Sequence, residues 1–256
     1  MSIEAHGATT GPTTISKEEV EKFSRLAAEW WDPFGKFRPL HKFNPVRLGY
    51  IRDAAAAQFG RDRRDAKPLA GLRLLDVGCG GGLVAEPMRR LGAEVVGVDA
   101  SRANIETARL HAVQQKLEID YRVTTVEDLV AAGQAPFDIV LNLEVVEHTA
   151  DHRLFLDKSA TLLKPGGLMI VATINRTLKA FALAKVGAEY VLRWLPRGTH
   201  DPRKFLKPEE VELGLSKAGL FVTGRVGVVY QPLMDAFRLS KDLSVNYMIT
   251  AVKNAA

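Results

Sequence analysis

The stretch Leu74-Leu75-Asp76-Val77-Gly78-Cys79-Gly80-Gly81-Gly82, followed by Val98-Asp99, decides the reading of this sequence. An apolar run ending in an acid, then a glycine cluster, is what a buried parallel strand leaves behind when its backbone must pass close to a ligand. The helix expected after the glycines presents free N–H groups. An acid about 20 residues on, at the end of the next strand, can accept protons from both ribose hydroxyls. Two cofactors use this geometry. A dinucleotide fingerprint requires a third glycine at position 83, which is Leu83. Adenosylmethionine carries no phosphate, and Gly78-x-Gly80 behind Asp76 suits it.

Outward from this stretch the pattern is β-α-β-α. Strands are expected at 72–77, 94–98, 119–123, 137–142, 167–173, 220–230 and 245–252, with helices to Leu91 and at 101–115, 152–163 and 208–217. Near-continuous apolar strands between helices predict a parallel sheet covered on both faces, closed by an antiparallel hairpin. Pro87 predicts a late helix start or a slight kink. Upstream, Ser16 with Glu19 reads as a capping box for a helix to about Trp31, and Asn44-Pro45 as the start of a second helix. The expected class is α/β: a Rossmann-like, mostly parallel seven-stranded sheet with helices on both faces. Residues 1–15 read as a disordered tail. A single domain spans 16–256, with N-terminal helices and a linker over 16–67 and a helical insertion over 174–207.

The bulk numbers agree with one α/β domain. The chain has 256 residues, 46% hydrophobic and 25% charged, with a net charge of +5. No dense Lys/Arg run argues for nucleic acid, whereas mild basicity suits an anionic membrane surface. One cysteine, Cys79, excludes an intrachain disulfide and multi-cysteine metal sites. Without a signal peptide pattern at its start, the expected location is cytoplasmic, with peripheral contact at the inner membrane face. Residues 178–195 form a one-sided wheel, with Lys179, Lys185, Glu189 and Arg193 in one arc and Leu178, Phe181 and Trp194 opposite. Such a helix either lies in a membrane interface or packs as a lid.

Several motifs are more specific than the glycine loop: Trp30-Trp31-Asp32, Pro39-Leu40-His41, Asn44 to Ile51, Glu144-Val145-Val146-Glu147-His148, Val186 to Tyr190, Arg197 to Asp201 and Val245 to Met248. In these the sequence resembles the ubiquinone-biosynthesis O-methyltransferase family, called UbiG in bacteria, over roughly residues 16–252. The resemblance implies a class I S-adenosylmethionine-dependent methyltransferase acting on a polyprenyl catechol and on a demethylubiquinol. It further implies association with other enzymes of that pathway. Carried over motif by motif, cofactor contacts fall on Arg47, Gly78, Asp99 and Leu143, beside the Gly80 and Asp99 of the loop reading. Arg47 would hold the methionine carboxylate.

Methyl transfer from a sulfonium requires a deprotonated, well-placed acceptor oxygen, and a catechol hydroxyl is mostly protonated at neutral pH. Glu144, Glu147 and His148 follow the fourth strand, at the edge where ligands bind. On a helix their i, i+3, i+4 spacing shares one face. Beside the plain reading of a surface helix start whose acids favour the helix dipole, two roles stay open. The three hold a divalent ion (Mg²⁺ by its preference for oxygen, with Zn²⁺ or Mn²⁺ left open by the histidine), as the family resemblance also implies. Alternatively His148 is a general base oriented by a carboxylate, with Glu144 as its acidic neighbour. The competing readings are a methyltransferase for another phenol, an NAD-type oxidoreductase, disfavoured by Leu83, and a non-catalytic binding module.

Overall fold

A computed structural model describes residues 14–182 and 204–254. Two helices lead into the sheet: α1 (Lys17–Ser24) and α2 (Arg38–Gln58), joined through a 3-10 turn at Ala27–Glu29. The alternating unit follows as β1 (Arg73–Val77), α3 (Ala85–Arg90), β2 (Glu94–Asp99), α4 (Arg102–Gln114), β3 (Asp120–Val123), α5 (Val126–Ala131), β4 (Phe137–Leu143), α6 (His152–Thr161) and β5 (Leu163–Ile174). A short turn, α7 (Leu178–Ala180), precedes the undescribed stretch, after which come α8 (Pro208–Lys217), β6 (Leu220–Gln231), β7 (Ala236–Ser240) and β8 (Asn246–Lys253).

The eight strands lie in the order β3-β2-β1-β4-β5-β8-β6-β7. The first five are parallel, while β8 runs antiparallel to both β5 and β6. Successive residues of β1 serve opposite faces: Leu74 packs with Ile51, Leu141 and Met88, and Leu75 with Val140, Val171 and Leu156. Each leucine is fully buried, worth roughly 1.5–3 kcal/mol against exposure. Chain order reverses between β1 and β4, and the crevice outside their carboxyl ends is where such sheets bind ligands.

The structure departs from the sequence reading in instructive places. The sheet has eight strands, because 236–240 pairs with β6 as an edge strand; a five-residue run with one half-exposed face carries too little apolar signal to stand out. Asn44-Pro45 does not begin α2. Pro39 lies in its first turn and Pro45 inside it. Burial of Phe43, Arg47, Ile51 and Ala55, four residues apart, holds that helix across the rung that Pro45 removes. Ser16 sits at the N-cap of α1 but its side chain makes no cap bond. The partner expected for it, Glu19, turns away into the site. The late helix start at Pro87 is as expected, with α3 beginning at Ala85. Of the 178–195 helix, residues 183–195 lie outside the described residues, as do the tail 1–13 and His200. Among the described residues no helix is long and apolar enough to cross a membrane.

Candidate active site

A cavity of ≈ 580 Å³ opens at the carboxyl ends of β1, β2 and β4, roofed by α1 and the segment leading into α2. Gly78 forms its floor. Its φ is +65°, and a Cβ there would stand 2.5 Å from Val145 Cγ2, so neither the backbone conformation nor the space admits a side chain.

Gly80 does not line the cavity; its role is behind the wall. Its N–H donates to Asp99 Oδ2 at 3.0 Å, and a Cβ there would fall 2.3 Å from the Trp30 ring. Asp99 Oδ1 accepts from Ser101 N (2.8 Å) and Asn104 Nδ2 (3.3 Å). These bonds fix the carboxylate plane and leave Oδ2, which accepts only from Gly80, with a lone pair for a ligand hydroxyl. Burial raises the Asp99 pKa, and the donors from Ser101, Gly80 and Asn104 pull it back.

Trp30 closes this corner. It stacks on Phe37 at 3.9 Å between centroids, covers Gly80 and Gly81, and donates from Nε1 to Asn104 Oδ1 at 2.9 Å. Its carbonyl oxygen is met by His41 Nε2 at 2.9 Å, so His41 serves the roof of the site. Next to it, Trp31 stacks on His111 at 3.5 Å and bonds Gly81 O. Ser24 of α1 contacts Ser101 at 2.6 Å, and Thr14 donates from both N and Oγ1 to Glu127. Glu127, not its neighbour Asp128, lines the cavity.

At the opposite end lies Arg47, 4% exposed, its guanidinium held by Asn44 Oδ1 through Nε (3.2 Å) and Nη2 (2.6 Å) and lying over the Phe43 ring. Asn44 in turn donates to Leu83 O at 2.7 Å, which ties the arginine to the glycine loop. Burial lowers the Arg47 pKa, while Glu144 and Asp76 support its charge. Asp76 is buried, and burial lifts its pKa to about 7 despite Arg47. Its Oδ2 has no hydrogen-bond partner. A buried cation beside a buried carboxylate with an orphan oxygen is a receptor for a zwitterion, such as an α-amino acid group. Leu143, 7% exposed, also lines the cavity.

The segment after β4 is not the helix whose wheel would align Glu144, Glu147 and His148. Glu144 has φ +57°, and only a 3-10 turn, Val146–His148, follows. Among the described residues no three His, Cys, Asp or Glu groups are placed to share a metal ion. The donor set as arranged therefore does not fit the expected divalent metal. Glu144, in the left-handed region, is close enough to Arg47 for the two charges to interact, while His148 Nδ1 comes within 3.1 Å of Glu19 Oε2 on α1 without the alignment of a hydrogen bond. Glu147 is buried and Glu144 half-buried, and their charges repel one another. Burial, then Glu147, lifts the Glu144 pKa to about 8, with Arg47 opposing; burial raises that of Glu147 also. Glu19 goes the other way. The His148 contact, with Lys204 Nζ at 2.8 Å, holds its carboxyl well below the usual range.

The structure thus gathers Arg47, Gly78, Asp99, Leu143, Glu144, Glu147 and His148 around one cavity and sets Gly80 one layer back. Sequence reasoning missed Glu19, Asn104 and Glu127, each of which looks like an ordinary helix-terminal residue. For Trp30 the signal was present in Trp30-Trp31-Asp32, without a role attached.

Comparison with known proteins agrees with this geometry. A family described as Methyltransferase domain matches residues 75–171, which run from β1 into β5. The ubiquinone biosynthesis O-methyltransferase of Chelativorans sp. (strain BNC1) is 64% identical over 95% of this chain and 96% of its own. That of Mesorhizobium japonicum is 62% identical over 95% and 97%. In fold, the chain resembles the magnesium protoporphyrin IX methyltransferase of Synechocystis PCC 6803, solved with bound S-adenosylhomocysteine, at a TM-score of 0.61 and 19% identity, covering 93% of this chain and 100% of that one. With that identity sustained along nearly the whole of both chains, this protein belongs to the ubiquinone biosynthesis O-methyltransferase family.

Proposed function

We propose that the chain methylates a hydroxyl of a polyprenyl catechol and of a demethylubiquinol, with His148 removing the acceptor proton and Glu19 holding that imidazole in place. The enzyme is an S-adenosylmethionine-dependent O-methyltransferase of ubiquinone biosynthesis. Bound S-adenosylmethionine supplies an electrophilic methyl group with its leaving group already built in. The residues present fit it: Asp99 for the ribose hydroxyls, Arg47 for the methionine carboxylate, the orphan Asp76 oxygen for the ammonium, and Gly78 where no side chain fits.

The observation that carries the base assignment is the 3.1 Å approach of His148 Nδ1 to Glu19 Oε2 at the cavity wall. A carboxylate at Nδ1 favours the tautomer with its proton there and leaves the lone pair on Nε2 for the acceptor hydroxyl. As His148 takes the proton, Glu19 stabilises the imidazolium, and Lys204 keeps Glu19 ionised. Glu144, whose pKa burial and Glu147 raise and Arg47 lowers, lines the cavity beside these groups. We include in this proposal a peripheral position on an anionic membrane surface, where a polyprenyl acceptor resides, and contact with other enzymes of the pathway.

Methyl transfer to a short-chain polyprenyl catechol, followed with and without a chelator, tests the assignment. Activity that survives chelation but drops about 10²–10⁴-fold in His148→Ala supports the base. Activity lost to the chelator and restored by Mg²⁺ would hand Glu144, Glu147 and His148 to a metal instead.

A further inference from the structure

Much of the cavity wall is apolar, and its apolar side has a direction. From Arg47 the wall runs to Phe43, 5.2 Å from the guanidinium, on to Phe237, 5.4 Å between centroids, and then to Tyr230 at 5.2 Å. Phe43 belongs to α2, whereas Tyr230 and Phe237 face each other across the β6–β7 hairpin. Directly opposed residues of an antiparallel pair project to the same side, so register alone places these two rings together. All four side chains line the cavity.

The hairpin ends in Pro232-Leu233-Met234-Asp235, with Asp235 in the left-handed region at φ +46°. Pro232 still lines the cavity, while Leu233 is 103% and Met234 72% exposed. Two adjacent apolar side chains held out at a hairpin tip oppose the usual burial of such groups. The tip is nonetheless fastened. Asp235 pairs with Lys42 of α2, lies 4.0 Å from Arg38 and accepts from the Tyr230 hydroxyl. The bracket therefore spans the mouth of the apolar path and holds it between α2 and the hairpin.

We infer that the acceptor's isoprenoid tail leaves the active site between α2 and the β6–β7 hairpin, over Phe43 and Phe237, and emerges beside Leu233 and Met234. This rests on the acceptor proposed above. It assigns Phe237 and Tyr230 to selection for a tail rather than to chemistry, since both belong to the apolar side of the cavity with Phe43. The exposed tip is then the point where the tail passes from protein to lipid, so that the acceptor need not leave the bilayer entirely.

The test uses the full chain, S-adenosylhomocysteine and a catechol whose isoprenoid tail carries a diazirine at its second or fourth unit. After irradiation, peptide mapping is expected to place the near label on Phe43 or Phe237 and the far label on 230–234. Labelling of 14–26 or 178–182 instead, or no labelling of the hairpin, overturns the path. The same probe with S-adenosylmethionine reads methylation separately: hairpin labelling without methylation supports the path and counts against the catalytic assignment. In Phe237→Ser, kcat/KM for a long-tailed over a one-unit acceptor is expected to fall roughly tenfold, as an apolar wall is lost. An unchanged ratio in a variant with the parent's unfolding midpoint overturns the path as well.

Discussion

Gly80 stands where sequence and structure give it different roles, and a double substitution separates them. Placing alanine at position 80 imposes two costs. The φ of +53° is a left-handed conformation, which costs a non-glycine residue roughly 1–2 kcal/mol. The new Cβ would also stand 2.3–2.9 Å from three atoms of the Trp30 ring, Cζ2, Cη2 and Cε2, an overpacking of about 1–3 kcal/mol. Gly80→Ala should therefore lose on the order of 2–5 kcal/mol in urea unfolding. It should also bind S-adenosylhomocysteine more weakly by calorimetry, because a displaced Trp30 releases Asn104 and with it one donor to Asp99. Trp30→Phe removes the colliding benzo ring. In the double variant the steric part should return while the backbone part stays, so the cycle should show about 1–3 kcal/mol of favourable coupling. Were Gly80 instead required for direct contact with the ligand, Trp30→Phe would restore nothing. Additivity within about 0.5 kcal/mol, in both stability and affinity, would refute the reasoning.

Three further outcomes follow from the site. Arg47→Lys cannot keep both bonds to Asn44 and still present a second edge to a carboxylate, so the Kd for S-adenosylmethionine should rise about 10–100-fold, measured calorimetrically. Asp76 carries a pKa near 7 in the fold against an ordinary value of 3.8, so the folded state holds its proton longer than the unfolded state does. Its contribution is fully present below about pH 4 and is lost as pH rises through 7, by a few kcal/mol at most. Urea titrations of Asp76→Asn should lack that decline between pH 4 and 7, and an unchanged slope would assign it elsewhere. Glu19→Gln should lower kcat about tenfold or more with little change in KM, whereas Glu18→Gln, one residue away and exposed, should leave both alone. Equal effects from the two would remove Glu19 from the proton path.

Local chemistry was enough to mark the stretch that forms one end of the cavity, though not the part each of its residues plays. A strand ending in Asp76, glycines at 78 and 80 and an acid at 99 follow from backbone geometry and the distance between neighbouring parallel strands, and both are properties of short stretches of chain. The β-α alternation was legible for the same reason, since buried parallel strands are apolar along their length. Where local signals competed with tertiary packing, packing prevailed. Asn44-Pro45 reads as a helix start, yet burial at 43, 47, 51 and 55 carries α2 through it. Ser16 and Glu19 read as a capping box, yet the carboxylate bonds Lys204, 185 positions away, and lies 3.1 Å from His148, 129 positions away.

By itself, then, the sequence determined the parallel strands of the sheet, the glycine loop and the cluster of titratable groups after β4, because each is written in residues a few positions apart. Only the tertiary structure decided how that cluster is used. The left-handed turn at Glu144 breaks the helical face that spacing alone suggested, and the roof formed by α1 brings a distant carboxylate to His148. The apolar path likewise exists only because α2 and the β6–β7 hairpin meet. Contacts between elements far apart in the chain leave no periodic trace in either partner, since each side chain is chosen for a neighbour that local sequence does not contain.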